Sequence, residues 1–238
     1  MLTRNFLESK TDLCRIQPIE THSYMKKTSI SILAVLAVLA SSCDWIGIRG
    51  NGHVVTDNRK VTEFSDIKTG GAFRIEWRPG TPSLSITTDD NLLRYIDSRV
   101  EGNTLHLESH DQLSPTRHIQ VVVRSPKLTG VSASGATRLD AADLNIPKFY
   151  LQTSGASKIT LAGTADELLA EMSGATKLDA EALHTKNADI TSSGASKAQV
   201  HATETLRVSI SGAGKCTYYG HPKVERHISG AGSIKAGD

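Results

Sequence analysis

The sequence predicts an all-β fold, a right-handed parallel β-helix (solenoid) with coils of about 18–20 residues, and three observations carry that expectation. The tripeptide Ser-Gly-Ala recurs six times, with its glycines at Gly135, Gly155, Gly174, Gly194, Gly212 and Gly230 advancing in steps of 20, 19, 20, 18 and 18. Such a period is too short for helical-hairpin repeats and too long for a heptad, which leaves one coil of a solenoid. Apolar or small residues alternate with polar ones on both sides of each copy, the period-two signature of strands with one face inward. Aromatic residues are only 5% of the chain, which suits thin stacked layers better than a wide core.

Residues 1–42 are set aside as an upstream extension plus a signal peptide, with Met25 as the start. Met25-Lys26-Lys27 is a basic segment, and the apolar run Ile30 to Ala40 follows it. That run is well short of the roughly 20 apolar residues a bilayer-spanning helix needs, and it suits a secretory signal. The end of this segment, Leu39-Ala40-Ser41-Ser42-Cys43, resembles a bacterial lipoprotein signal, so Cys43 is the expected lipidation site and residues 43–50 a lipidated tether. The expected location is therefore the cell envelope, as an exported lipoprotein held to the outer membrane or facing the periplasm. Five of the 27 basic and three of the 25 acidic residues fall in the leader, leaving 22 of each in the mature chain. A neutral exported chain has no electrostatic footprint for nucleic acid, and that class is excluded.

Residues 51–238 are expected to form a single domain, with an irregular capping half over 51–128 and a regular half over 129–238. In the irregular half, Val61 to Ile67, Ala72 to Trp77, Ser83 to Thr88, Thr104 to Glu108 and His118 to Val123 read as strands between Gly and Pro breakers. Asp90 to Ile96 reads as one short helix with Asp90 as its N-cap. Gly71-Ala72-Phe73-Arg74 looks like a degenerate copy of the later corner.

In the regular half, the residues two, four and six before each glycine are mostly apolar or small, as are those four and six after it. Each corner therefore separates two inward-facing strands, and the remaining length accommodates a third near Leu144 to Ile146 or the Thr203 region. Glycine permits positive φ or close backbone approach, and small neighbours allow identical corners to stack. The corner serine is expected to bond to nearby backbone or to the serine of the next coil. Period variation of this size needs corners that absorb insertions, which favours the right-handed form over a strict hexapeptide helix.

Outward positions are as regular. Three residues after the glycine stand Arg138, Lys158, Lys177, Lys197 and Lys215, then Ser233. Two further on, Asp140, Thr160, Asp179, Gln199 and Thr217 share the same face. The row is the candidate ligand-binding surface, suited to an acidic glycan, and it equally serves as a solvated face that discourages sheet-to-sheet aggregation. No catalytic constellation or metal site is expected. Asp140 and Asp179, two coils apart in one column, are the nearest approach to a carboxylate pair for polysaccharide cleavage. His184, His201, His221 and His227 are scattered over different coil positions, Asp89-Asp90-Asn91 lacks the ligand spacing of a calcium loop, and Cys216 falls on an inward column as a small core residue.

Taken together, the lipoprotein-like leader, Arg59-Lys60-Val61-Thr62-Glu63-Phe64-Ser65-Asp66-Ile67 with Gly70-Gly71 after it, Asp89-Asp90-Asn91-Leu92-Leu93 and the Ser-Gly-Ala series resemble the putative auto-transporter adhesin, head GIN domain family. That family is common among exported sequences of the Bacteroidetes, and the resemblance runs from Asn51 to the C-terminus. It implies a right-handed parallel β-helix with an adhesive role. The function expected is a non-enzymatic cell-envelope lipoprotein that binds a surface glycan or protein, needs no cofactor and meets the membrane through its lipid. The alternative is a polysaccharide-active lyase or hydrolase.

Overall fold

The computed structural model describes residues 47–237, so the expected signal segment and Cys43 lie outside the described residues. In the irregular half the strands are β1 (Ile48–Arg49), β2 (Val54–Arg59), β3 (Asp66–Gly71), β4 (Phe73–Pro79) and β5 (Ser83–Asp89). After a 3-10 turn over Asp90–Tyr95 come β6 (Ile96–Glu101), β7 (Thr104–Ser109), β8 (Leu113–Ser114) and β9 (Ile119–Ser125). Three details depart from the sequence reading. The strand expected from Val61 begins only at Asp66, because Ser65 N and Asp66 N both donate to Asn103 O, at 2.9 and 3.0 Å, which kinks the chain and buries Phe64 and Ser65 in succession. The helix is a 3-10 turn with Asp89, not Asp90, at its N-cap, and no side chain caps it. Strands β2 and β6, rich in polar residues, carry no apolar alternation that would announce them.

The regular half follows as β10 (Gly130–Gly135), β11 (Arg138–Gly155), β12 (Lys158–Gly174), β13 (Lys177–Gly194), β14 (Lys197–Gly212), β15 (Lys215–Tyr219), β16 (Lys223–Ser229) and β17 (Ser233–Ala236). Pairing between successive coils is parallel throughout this half, the arrangement of a β-solenoid. The four long strands bend within themselves. Between β11 and β12 the register shifts after Ala141 and resumes at Leu144↔Gly163, Asn145↔Thr164 and Ile146↔Ala165, which supplies the third side of the coil.

The coils do not stack in chain order. Strand β3 lies between β7 and β10, and β4 lies between β9 and β11, so the coil of residues 66–79 is the second layer and that of residues 104–125 the first. The outer edge of β9 pairs antiparallel with β5, which pairs antiparallel with β2, and β7 pairs antiparallel with β6. Antiparallel strands thus cover the end of the parallel stack, where unpaired N–H and C=O groups would otherwise template aggregation. At the other end, Ile228 on an inward column of β16 is 42% exposed.

Core composition follows the coils. Phe64, Phe73 and Trp77 fill the wide early layers, with Trp77 Nε1 donating to Ser125 Oγ at 2.8 Å. Phe149, Met172 and Cys216 apart, the later layers use Leu, Ile, Val and Ala, as in the buried columns Leu139, Ile159, Leu178 and Ala198 and Val131, Leu151, Ala170, Ile190 and Val208. Each fully buried Leu, Ile or Val contributes about 1.5–3 kcal/mol relative to exposure, and the repeat multiplies that term per coil.

Candidate functional site: the basic row

The corner sets the row. At Gly155 the backbone has φ +98°, and a β-carbon there would lie 2.6 Å from Gly135 O, so glycine is required both for its left-handed conformation and for the close stacking of coils. Ala156 N donates to that same oxygen at 2.9 Å, and Lys158 N donates to Thr137 O at 2.8 Å, so the ladder of hydrogen bonds passes the corner almost unbroken. The same 2.8 Å bond recurs from Lys177 N to Ser157 O, Lys197 N to Thr176 O and Lys215 N to Ser196 O. The backbone of each lysine is therefore placed by the corner of the coil before it.

Of the two partners expected for the corner serine, the backbone is the one observed. Ser134 Oγ donates to Thr69 O at 3.2 Å, but among the described residues no hydrogen bond joins the corner serines to one another, and they point to solvent. The buried hydroxyls sit two residues after the glycine instead, at Thr137, Ser157, Thr176 and Ser196, each 2–3% exposed. Thr176 Oγ1 lies 3.0 Å from Thr153 Oγ1 inside the coil. Small hydroxyl side chains at this fixed offset are visible in the sequence as a column, and their inward direction continues the period of two through the glycine, from Val131 and Ala133 to Thr137, Leu139 and Ala141.

All five predicted row residues share one column. Arg138 pairs with Lys158, Lys158 with Lys177, Lys177 with Lys197 and Lys197 with Lys215, and Ser233 ends the row. Sequence reasoning missed a sixth cation, Arg74, which pairs with Arg138 from β4. The degenerate corner was its signal, since Gly71 pairs with Gly135 in the glycine column.

Charge is distributed unevenly around the coil. On the face before the corner, cations are answered by acids: Lys148 Nζ lies 3.1 Å from Glu167 Oε2, and the Arg207 guanidinium lies 3.1 Å from Glu225 and 3.5 Å from Asp189. The hydrogen bond from Arg207 to Glu225, followed by the charges of Glu225 and Asp189, holds that guanidinium pKa above its ordinary value. On the row, Arg138 Nε meets Asp140 Oδ2 at 3.0 Å. Among the described residues Arg74, Lys158, Lys177, Lys197 and Lys215 enter no ion pair. Lys158 and Lys177 are half-buried along their stems, which leaves the ammonium groups at the surface.

The other candidate groups are distributed over several coils. Asp140 and Asp179 flank Thr160 in one column as expected, with Asp140 engaged by Arg138. His184 and His201 are brought together edge to face, with ring centroids 4.5 Å apart, because the register shift after Ala180 sets them opposite one another on neighbouring strands. Burial, and then the proximity of His184, lowers the His201 pKa. His221 and His227 are exposed elsewhere. No group of three or more His, Cys, Asp or Glu side chains converges as a metal site among the described residues. Asp90 bonds to His53 Nδ1 at 3.0 Å and accepts from Asn51 Nδ2 at 2.5 Å. Cys216 is 1% exposed, and burial pushes its thiol pKa up to about 12, so it is a core residue rather than a nucleophile.

A stack of parallel coils with one cation per coil on an outer face defines a β-solenoid with a continuous charged row along one side. The chain belongs to the family described as putative auto-transporter adhesin, head GIN domain, whose model matches residues 63–222. No curated protein matches it. It is similar to the crystal structure of a putative adhesin from Bacteroides fragilis, at 23% identity and a TM-score of 0.66, covering 80% of this chain and 100% of that one. It is also similar to a putative adhesin from Parabacteroides merdae, at 20% identity and a TM-score of 0.50, covering 80% of this chain and 99% of that one. At these identities the likeness shows the fold alone.

Proposed function

We propose that this chain is a non-enzymatic, surface-facing adhesin-like module of the cell envelope, held to the membrane by lipid on Cys43. Its ligand is an acidic surface glycan bound along Arg138, Lys158, Lys177, Lys197 and Lys215. The observation that carries this reading is the contrast between the two faces. The face before the corner answers its cations with acids, whereas the row leaves four consecutive lysines unanswered at adjacent-strand spacing. Like charges opposite one another on a sheet destabilise it, so a row of them runs against stability and fits a partner that neutralises it. Membership in an adhesin family supports the same reading.

The test is a glycan array that includes acidic and neutral polysaccharides, followed by titration calorimetry at low and high salt. Salt-sensitive binding confined to acidic glycans is the expected result. Absence of any acidic binder sinks the proposal, and release of unsaturated or free uronate during the titration would establish the enzymatic alternative. Intact mass and protease accessibility on whole cells test the lipid anchor and the surface exposure.

A further inference from the structure

Resting on the reading of the basic row as an acidic-glycan site, we infer that the row selects a linear polyuronate, a polymer with one carboxylate on every sugar. The chain lies along the solenoid axis with successive carboxylates over successive coils.

Arg74, Arg138, Lys158, Lys177, Lys197 and Lys215 occupy paired positions on neighbouring strands in unbroken register. Neighbouring strands lie about 4.8 Å apart, so the six cations span about 24 Å. An extended pyranose unit advances its chain by close to the same step. Successive carboxylates lie at opposite edges of such a chain, and the long flexible lysine and arginine stems reach to either edge, so each unit brings one carboxylate within reach of one cation. A polymer that is acidic only on alternate sugars presents its charges at twice the step and leaves every second cation unanswered.

The shape of the surface argues for a polymer over a compact anion. The row residues are exposed or half-exposed, and the groove of about 450 Å³ along Ser134, Ser154 and Ser173 lies on the other side of the corner and includes none of the six cations. A compact anion on an open face would meet one or two cations, each worth only about two- to fivefold in affinity. A chain that meets all six multiplies those factors, because each contact after the first is intramolecular.

The six positions are unequal. Arg138 is already engaged by Asp140, and Lys177 has Asp179 two residues on along the same face. The corresponding neighbours of Lys158, Lys197 and Lys215 are Thr160, Gln199 and Thr217, which carry no charge, but Thr160 pairs with Asp140 and Asp179 on both sides, whereas Gln199 has an acid, Asp179, on one side only and Thr217 pairs with none. The last two lysines therefore hold the ligand most strongly.

Titration calorimetry with oligogalacturonates of increasing length, against hyaluronan oligosaccharides matched in number of carboxylates, tests this. Affinity for the oligogalacturonates is expected to rise with length and level off once the chain matches the six cations, with hyaluronan of equal charge bound several-fold more weakly. Lys197→Ala or Lys215→Ala should lower affinity about two- to fivefold, and Arg138→Ala by less, with unchanged thermal unfolding in each case. Equal binding of the two polymers at matched charge, or equal losses for Arg138→Ala and Lys215→Ala, overturns the inference and leaves the acidic-glycan reading standing. Failure of these and all other acidic glycans to bind overturns both.

Discussion

Gly135 O lies where a β-carbon on Gly155 would have to be, 2.6 Å away, and it is also the acceptor for Ala156 N at 2.9 Å. One carbonyl thus enforces glycine in the next coil and hydrogen-bonds the residue that follows it. The oxygen cannot retreat from a new methyl group without weakening that bond. Gly155→Ala should therefore combine the cost of a left-handed residue, about 1–2 kcal/mol, with a backbone clash. Gly102 has φ +58° and nothing within 4 Å of the place a β-carbon would take, so Gly102→Ala should show the conformational cost alone. Chemical denaturation of the two variants checks this, with Gly155→Ala expected to lose at least twice as much stability.

The buried pair Thr153 and Thr176, with hydroxyl oxygens 3.0 Å apart, predicts a non-additive cycle. Thr176→Val leaves the Thr153 hydroxyl buried without that partner and should cost about 1–3 kcal/mol. The double change to Val removes both polar groups while keeping their shape, and it should be less destabilised than the sum of the single changes. Equilibrium unfolding of the four proteins measures the coupling.

Asp89 is fully buried and accepts from Gly52 N at 2.7 Å, Thr116 N at 2.9 Å and Thr116 Oγ1 at 2.8 Å. Burial works to raise its pKa, but the hydrogen bonds from Thr116 and Gly52 together outweigh it and hold the carboxyl below its ordinary value of 3.8. A depressed native pKa means that the stabilisation is present in full above the unfolded value and is lost as pH falls through the native one. The wild-type protein should accordingly lose stability as pH drops below 3.8. Asp89→Asn should be less stable at neutral pH and show a shallower acid limb in a series of urea melts.

Cys216 should be inert in the native state. Burial raises its thiol to about 12, leaving almost no thiolate at neutral pH. Labelling by a thiol reagent is expected only in denaturant, with a rate that follows global unfolding.

The row also has a stability signature independent of any ligand. Lys197 lies between Lys177 and Lys215 in register, so Lys197→Glu exchanges two repulsive neighbours for two attractive ones. The variant should gain about 0.5–1 kcal/mol at low salt, and the gain should shrink as salt is added. Thermal unfolding at two ionic strengths reads both effects.

The stacking unit was legible from residues alone because a solenoid writes its geometry as a period. Six Ser-Gly-Ala copies placed the corner, the inward columns and the row from Arg138 to Lys215, since every coil meets the same neighbours. Contacts that break that repetition required the tertiary structure. The placement of β3 and β4 between strands that come later in the chain brings Arg74 beside Arg138, and no local pattern encodes a strand being overtaken by a later one. The covering strands β2 and β6 are specified by the edges they pair with rather than by apolar alternation of their own. The inward direction of Thr137, Ser157, Thr176 and Ser196 follows from the period of two, but the partner each hydroxyl finds, as Thr176 finds Thr153, depends on the folded coil. Periodic burial is a local property that composition and spacing carry, whereas layer order and the partner of each charge are long-range properties that exist only once the coils have stacked.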